Sequence, residues 1–362
     1  MSKIVHIVGN RPQFIKLAPV SRALQQYHIE EIIIHTGQHY DENMSNIFFD
    51  ELDIPYPKEN LNVGSGTHAQ TTARVMERLE KVVDREKPDG VIIYGDTDST
   101  LAAAVVISKL NIPLFHIEAG PRTYSKTNPE EKNRVVADHL SDYLFVPDRV
   151  SAENLQKEGI PAERIIFSGD VMYDEFLYVV RQDNDAYTAK YPADFILMTW
   201  HRQENTYDME RMEKIIDFIS RINCNIVFPL HPRTKKRLSE YGLWDRIYQN
   251  KKLTIMEPVG YREMTVLLNK CSLVVTDSGG VSKEASFAQK RCFFFLGLAV
   301  WPELIKSGHI RLIDVGDRKS VESGLSEINN ALISDEKQMP KANCFGDGNA
   351  AKIIADTIKN IL

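Results

Sequence analysis

Leu273-Val274-Val275-Thr276-Asp277-Ser278-Gly279-Gly280-Val281-Ser282-Lys283-Glu284 runs from an apolar segment, through a small polar turn, into a helix-compatible stretch. Residues 273–275 read as a buried parallel strand. Ser278, Gly279 and Gly280 carry so little side chain that a ligand can approach the backbone closely. From Val281 to Ala288 the residues suit a first helical turn. A helix starting there points free N–H groups and its positive dipole end at the turn, which suits a phosphate or diphosphate. Glu284, one turn further in, is placed to accept hydrogen bonds from sugar hydroxyls. The same residues could also form only a tight turn, because short glycine-rich turns are common.

The strand–turn–helix rhythm continues outward from this stretch. Strand-like runs at 4–8, 31–35, 90–94, 114–117 and 143–146 alternate with helix-like segments, which implies a parallel sheet covered on both faces. The rhythm restarts with runs at 195–199, 225–230, 253–256, 273–275 and 292–296, and the region 173–194 reads as the best connection. The expected fold is α/β, with two Rossmann-like doubly wound domains facing a central cleft. In such sheets ligands sit outside the carboxyl ends of the strands.

A chain of 362 residues fits two domains at roughly 150 residues each. The apolar share of 43% suffices for two cores, and the net charge of -6 comes without long blocks of one sign. That argues against nucleic acid or an anionic membrane as the main partner. Cys224, Cys271, Cys292 and Cys344 form no CxxC pair and read as structural thiols in a reducing compartment. The N-terminal run reads as a first strand rather than a signal peptide. No stretch approaches the roughly 20 apolar residues of a membrane span, so a cytoplasmic protein is expected.

Most residues able to do chemistry lie just after strands. Gly9-Asn10-Arg11-Pro12-Gln13-Phe14-Ile15-Lys16 places Arg11 and Lys16 near a strand end, as anion contacts or as ordinary surface cations. Tyr94-Gly95-Asp96-Thr97-Asp98-Ser99-Thr100 puts Asp96 where a catalytic carboxylate would sit, with Asp98 or Ser99 able to cap the next helix. Its Asp-Thr-Asp also mimics a short metal-binding motif that chance supplies easily. Glu118 ends another strand, and Glu130 and Glu131 open the helix after Asn128-Pro129. Three carboxylate-bearing loops converging on one sheet edge should raise at least one pKa, as acid–base work at neutral pH requires. His139 reads as a helix surface or core residue. His201 follows the first strand of the second half and suits a contact to a leaving diphosphate. His231, between Leu230 and Pro232, is rigidly held for a ligand contact or a structural role.

As a set, these motifs resemble the non-hydrolysing UDP-N-acetylglucosamine 2-epimerase family. They are, in order, Gly9 to Pro12, Thr36-Gly37-Gln38-His39, Gly95-Asp96-Thr97, His116-Ile117-Glu118-Ala119-Gly120, Pro129-Glu130-Glu131, His201-Arg202 with Glu204-Asn205, and Thr276-Asp277-Ser278-Gly279-Gly280. Gln13 to Lys16, His39 to Met44 and Gly169 to Asp174 look most like the branch acting on UDP-2,3-diacetamido-2,3-dideoxyglucuronic acid. The resemblance implies a GT-B fold with domains at 1–172 and 173–345, and a last helix at 346–362 crossing back to the first. It implies a UDP-sugar substrate, a homodimer, and a reaction without NAD or metal. Asp96, Glu118 and Glu130 would carry the acid–base work, while His201 and Arg11 assist the departing diphosphate. Ser278, Gly279, Gly280 and Glu284 would hold UDP, with Lys16, Glu131, Arg134, Arg202 and His231 as further substrate contacts.

One loop departs from that pattern. Leu296-Gly297-Leu298-Ala299-Val300-Trp301-Pro302-Glu303 keeps the family's proline and final glutamate but lacks its arginine, threonine and first acidic residue. An apolar loop cannot make the same contacts to phosphate or sugar. Three other readings therefore stay open: epimerisation at another ring carbon, a hydrolysing 2-epimerase, and a UDP-sugar-binding homologue with altered catalysis.

Overall fold

A computed structural model describes residues 2–37, 49–182, 191–296, 301–333 and 338–362. The Gln38-His39 motif, the His39 to Met44 stretch and the loop interior at 297–300 lie outside the described residues. The chain forms two compact units, Met1–Leu177 with Asn343–Leu362, and Tyr178–Ala342. The first division thus falls at 177/178, inside the helix Val171–Gln182, where the sequence suggests 172/173.

The first unit holds seven strands: β1 (Lys3–Val8), β2 (Glu30–His35), β3 (Glu59–Asn60), β4 (Gly90–Tyr94), β5 (Leu114–Ile117), β6 (Tyr143–Val146) and β7 (Ile165–Phe167). They pair in parallel in the order β3-β2-β1-β4-β5-β6-β7. Alternation along the strands sends Val5 and Ile7, Ile32 and Ile34, and Val91 and Ile93 to one face. There they pack with Val75, Leu79 and Val82 from helix His68–Glu86 and Ala102 to Ala104 from helix Asp98–Ile107. The chain's last helix, Ala350–Ile361, belongs to this unit. It buries Ala351, Ile354 and Ile358 and packs on helix Arg11–Leu24. Asp174 accepts from Ala350 N (3.2 Å) and Ala351 N (2.7 Å) at its start. Burial raises the Asp174 carboxyl to about 6, against the lowering pull of those two amides.

The second unit repeats the plan with β8 (Ile196–Thr199), β9 (Ile226–Pro229), β10 (Leu253–Met256), β11 (Leu273–Thr276), β12 (Cys292–Phe294) and β13 (Ile310–Leu312). Their order is β10-β9-β8-β11-β12-β13, again parallel. Each sheet reverses its winding once, between β1 and β4 and between β8 and β11. Such a reversal opens a crevice at the carboxyl ends of the two strands, where doubly wound sheets take their ligands.

At the first reversal the backbone turns are packed tightly. Gly9 follows β1, and a Cβ there would collide with Thr36 Oγ1 and lie 2.6 Å from Ser99 Oγ. Those two hydroxyls are themselves bonded at 2.9 Å and buried. Gly9→Ala should therefore destabilise the first unit by about 1–3 kcal/mol through overpacking. Urea unfolding checks this, and an unchanged midpoint would show that the turn can yield.

Candidate functional site

Gln13 staples the two turns at the β1/β4 reversal. Its buried amide accepts from Gly9 N (2.7 Å) and donates to Tyr94 O (2.8 Å) and Thr100 Oγ1 (3.0 Å). One turn along the same helix, Lys16 Nζ meets Glu118 Oε1 at 2.6 Å. Gly95 makes room for that contact, since a Cβ on it would sit 3.0 Å from Lys16 Nζ. Glu118 adopts φ 65, a left-handed conformation that costs a non-glycine residue energy and concentrates at functional sites.

Asp96 pairs with Arg134, whose other nitrogen lies 2.9 Å from Glu131. Glu131 accepts from Thr123 N and Tyr124 N, both at 2.9 Å, and from Thr123 Oγ1 at 3.0 Å. Asn133 Nδ2 bridges Asp96 O and Asp98 Oδ1, each at 3.1 Å. Asp96, Glu118 and Glu131 are thus each paired with a cation rather than crowded against each other. Burial pushes the Glu131 carboxyl up, but the two amides, the Thr123 hydroxyl and Arg134 outweigh it and hold it below the usual range. The raised pKa expected from like-charge crowding is therefore replaced, at Glu131, by a lowered one. Glu130 is exposed at the start of helix Pro129–Leu140, and its carboxylate has no hydrogen bond or ion pair among the described residues. Arg11 is exposed at the first position of helix Arg11–Leu24.

In the second unit the corresponding staple is Asp277. It is fully buried and accepts from His201 N (3.0 Å), Arg202 N (2.9 Å) and Asn205 Nδ2 (3.1 Å). It thereby fixes the turn after β8 to the turn after β11. His201 Nδ1 lies 3.7 Å from the same carboxylate, and its ring stacks on His231 with centroids 5.3 Å apart. His231 Nδ1 accepts from Arg233 N at 3.1 Å. Among the described residues, the buried Nε of Arg202 has no hydrogen-bond partner. Ser278 caps helix Gly279–Phe287 by accepting from Val281 N at 3.4 Å. Glu284 is buried in the body of that helix. Trp301, from the divergent loop, donates its indole N–H to Gly279 O at 2.8 Å and covers Lys283, whose ammonium is 4.7 Å from the ring centroid.

Burial lowers the pKa of both His201 and His231. Arg202 and Arg233 add to it at His201, His201 and Arg233 at His231, and Asp277 opposes it at each. Unfolding restores the ordinary value, so the unfolded chain binds these protons first as pH falls. The stability held by the neutral rings is complete above about pH 6.5 and is lost as pH falls through the folded-state values. Thermal unfolding between about pH 7.5 and 5 should show this decline, with a shallower slope in His231→Gln. Parallel slopes would remove His231 from the account.

The first edge therefore offers carboxylates and cations for proton transfer. The second offers two histidines, an unpaired arginine N–H and a capped helix start for an anion. Gln13, Asn133 and Asp277 fall within the motif stretches but carry no role in the sequence reading, because an amide or carboxylate that fixes turns has no local signature. A family model described as UDP-N-acetylglucosamine 2-epimerase matches residues 22–359. The chain is 43% identical to a UDP-N-acetylglucosamine 2-epimerase homolog of Methanococcus maripaludis, over 99% of this chain and 100% of that one. It is 41% identical to the UDP-2,3-diacetamido-2,3-dideoxy-D-glucuronate 2-epimerase of Pseudomonas aeruginosa, with 99% and 100% covered. Its fold is similar to the crystal structure of Methanocaldococcus jannaschii UDP-GlcNAc 2-epimerase in complex with UDP-GlcNAc and UDP (TM-score 0.85, 39% identity, 99% of each chain covered).

Proposed function

The chain belongs to the UDP-N-acetylglucosamine 2-epimerase family, and we propose that it inverts C2 of its UDP-2-acetamido sugar without net hydrolysis. A carboxylate among Asp96, Glu118 and Glu130 takes the C2 proton. The C1–O bond then breaks, UDP leaves with the electron pair, and a 2-acetamidoglucal remains. A proton returns to C2 on the other face and UDP re-adds at C1, so atoms and charge balance with no cofactor. His201, Arg202 and Arg11 stabilise the departing diphosphate. Ser278, Gly279, Gly280 and Glu284 hold UDP, with Lys16, Glu131, Arg134 and His231 as supporting contacts.

The observation that carries the reading is the Lys16–Glu118 and Arg134–Asp96 pairing at the β1/β4 reversal. It gives acids whose charge is balanced in place, beside a strained Glu118. NMR of UDP-acetamido sugars incubated with the protein in deuterated water tests it. Deuterium should enter at C2 while UDP-sugar is conserved. Label at another carbon, or stoichiometric free UDP, would replace C2 inversion by one of the other outcomes. The sugar offered should include both a 3-hydroxyl and a 3-acetamido form, since relatives named for each are similar to this chain. Among the described residues no helix is long and apolar enough to cross a membrane. A cytoplasmic location and a dimer belong to the same proposal. The free cysteines fit a reducing compartment, and light scattering reads the assembly.

A further inference from the structure

We propose that His68 is a further substrate-recognition residue, presented by Asp98 to an oxygen of the sugar; the inference rests on the epimerase reading above. His68 opens helix His68–Glu86, and its side chain is 72% exposed. An exposed ring has no packing to hold it, yet Nδ1 lies 2.8 Å from Asp98 Oδ2. Asp98 itself is buried, and its other oxygen accepts from Asn133 Nδ2 at 3.1 Å. The same Asn133 amide reaches Asp96 O at 3.1 Å. A chain of three hydrogen bonds therefore ties His68 to the Asp96 turn.

The helix start does not need this histidine. Thr67 and Gln70 complete a capping box, with Gln70 N donating to Thr67 Oγ1 and Thr67 N donating to Gln70 Oε1. A carboxylate at one ring nitrogen fixes a donor there and aims the other nitrogen away from it. That nitrogen, Nε2, has no partner among the described residues. His68 is thus an oriented ring with one unused polar atom, anchored to the turn that follows β4 at the sheet reversal. The acid–base residues proposed for the ring carbon share this edge, while the residues proposed to hold UDP, Ser278, Gly279, Gly280 and Glu284, belong to the other unit; of this unit only Arg11 is proposed at the diphosphate. His68 accordingly contacts the sugar and not the nucleotide.

The test separates those two halves of the ligand in the full-length protein. His68→Ala should raise KM for the UDP-sugar about tenfold, the worth of one good hydrogen bond, with Kd for UDP alone unchanged by calorimetry. His68→Gln, whose carboxamide keeps a hydrogen-bonding group at this position, should recover part of the loss. An unchanged KM, an equal weakening of UDP, or a glutamine variant no better than alanine each overturns the assignment. If the wild type turns over no UDP-sugar, the epimerase reading fails and takes this inference with it. If the wild type is active and the variants behave like it, only the role of His68 fails.

Discussion

Glu118→Gln lowers epimerisation of a UDP-acetamido sugar by about 10²–10⁴-fold, the range for loss of a positioned acid–base group. Glutamine keeps the shape of the side chain and can still accept from Lys16, so the pairing that orients residue 118 survives in weakened form. What it cannot do is take up a proton. The backbone at this residue is already left-handed at φ 65, and glutamine meets the same strain there as glutamate. Stability should therefore change little while turnover collapses, and binding of UDP should hold. The decisive reading is exchange of the C2 hydrogen in deuterated water. Wild-type exchange in the variant would move the base to Asp96 or Glu130 and leave Glu118 as a partner for Lys16. Loss of exchange together with a lowered melting temperature would instead make Glu118 a structural group.

Much of this geometry is legible in the chain. Apolar runs of four to six residues followed by glycine or small polar residues mark the central strands, because a strand buried on both faces must be apolar and the turn after it cannot be. The short outer strands β3, β7 and β13 escape that reading, since an edge needs neither a continuous apolar run nor full burial. The region 173–194, read as a connection, begins instead with most of helix Val171–Gln182. Val171, Phe176 and Val179 are buried there, but acidic and aromatic residues between them break up the apolar count that marks other helices. The candidate acids are visible because they follow strands. Their cations are not paired with them by any local rule. Lys16 and Glu118 are 102 positions apart and Arg134 and Asp96 are 38, so only the sheet order brings them together. That is why sequence suggested crowded negative charge where the fold supplies ion pairs.

The same long-range logic makes Asp277 a sensitive residue of the second unit. Asp277→Ala should destabilise that unit by about 3–5 kcal/mol, because it strands donors that a buried carboxylate had satisfied. With roughly 2–4 °C lost per kcal/mol for a domain of this size, the melting temperature should fall by about 10 °C. The loss is not confined to stability. His201 N and Arg202 N both donate to this carboxylate, so the turn after β8 loses its anchor and His201 its position over His231. Asp277 is also the one influence that raises the pKa of His201 and of His231 against burial and the nearby arginines. Its removal should push both rings further down and shift the acid limb of any activity profile they control to lower pH. Asp277→Asn separates the two effects. It keeps an acceptor for part of the network, so it should melt between wild type and alanine, but it lacks the charge and should carry the full shift of the histidines. An asparagine variant with the wild-type acid limb would show that Asp277 acts on this site through backbone position alone, and that the histidines answer to the arginines.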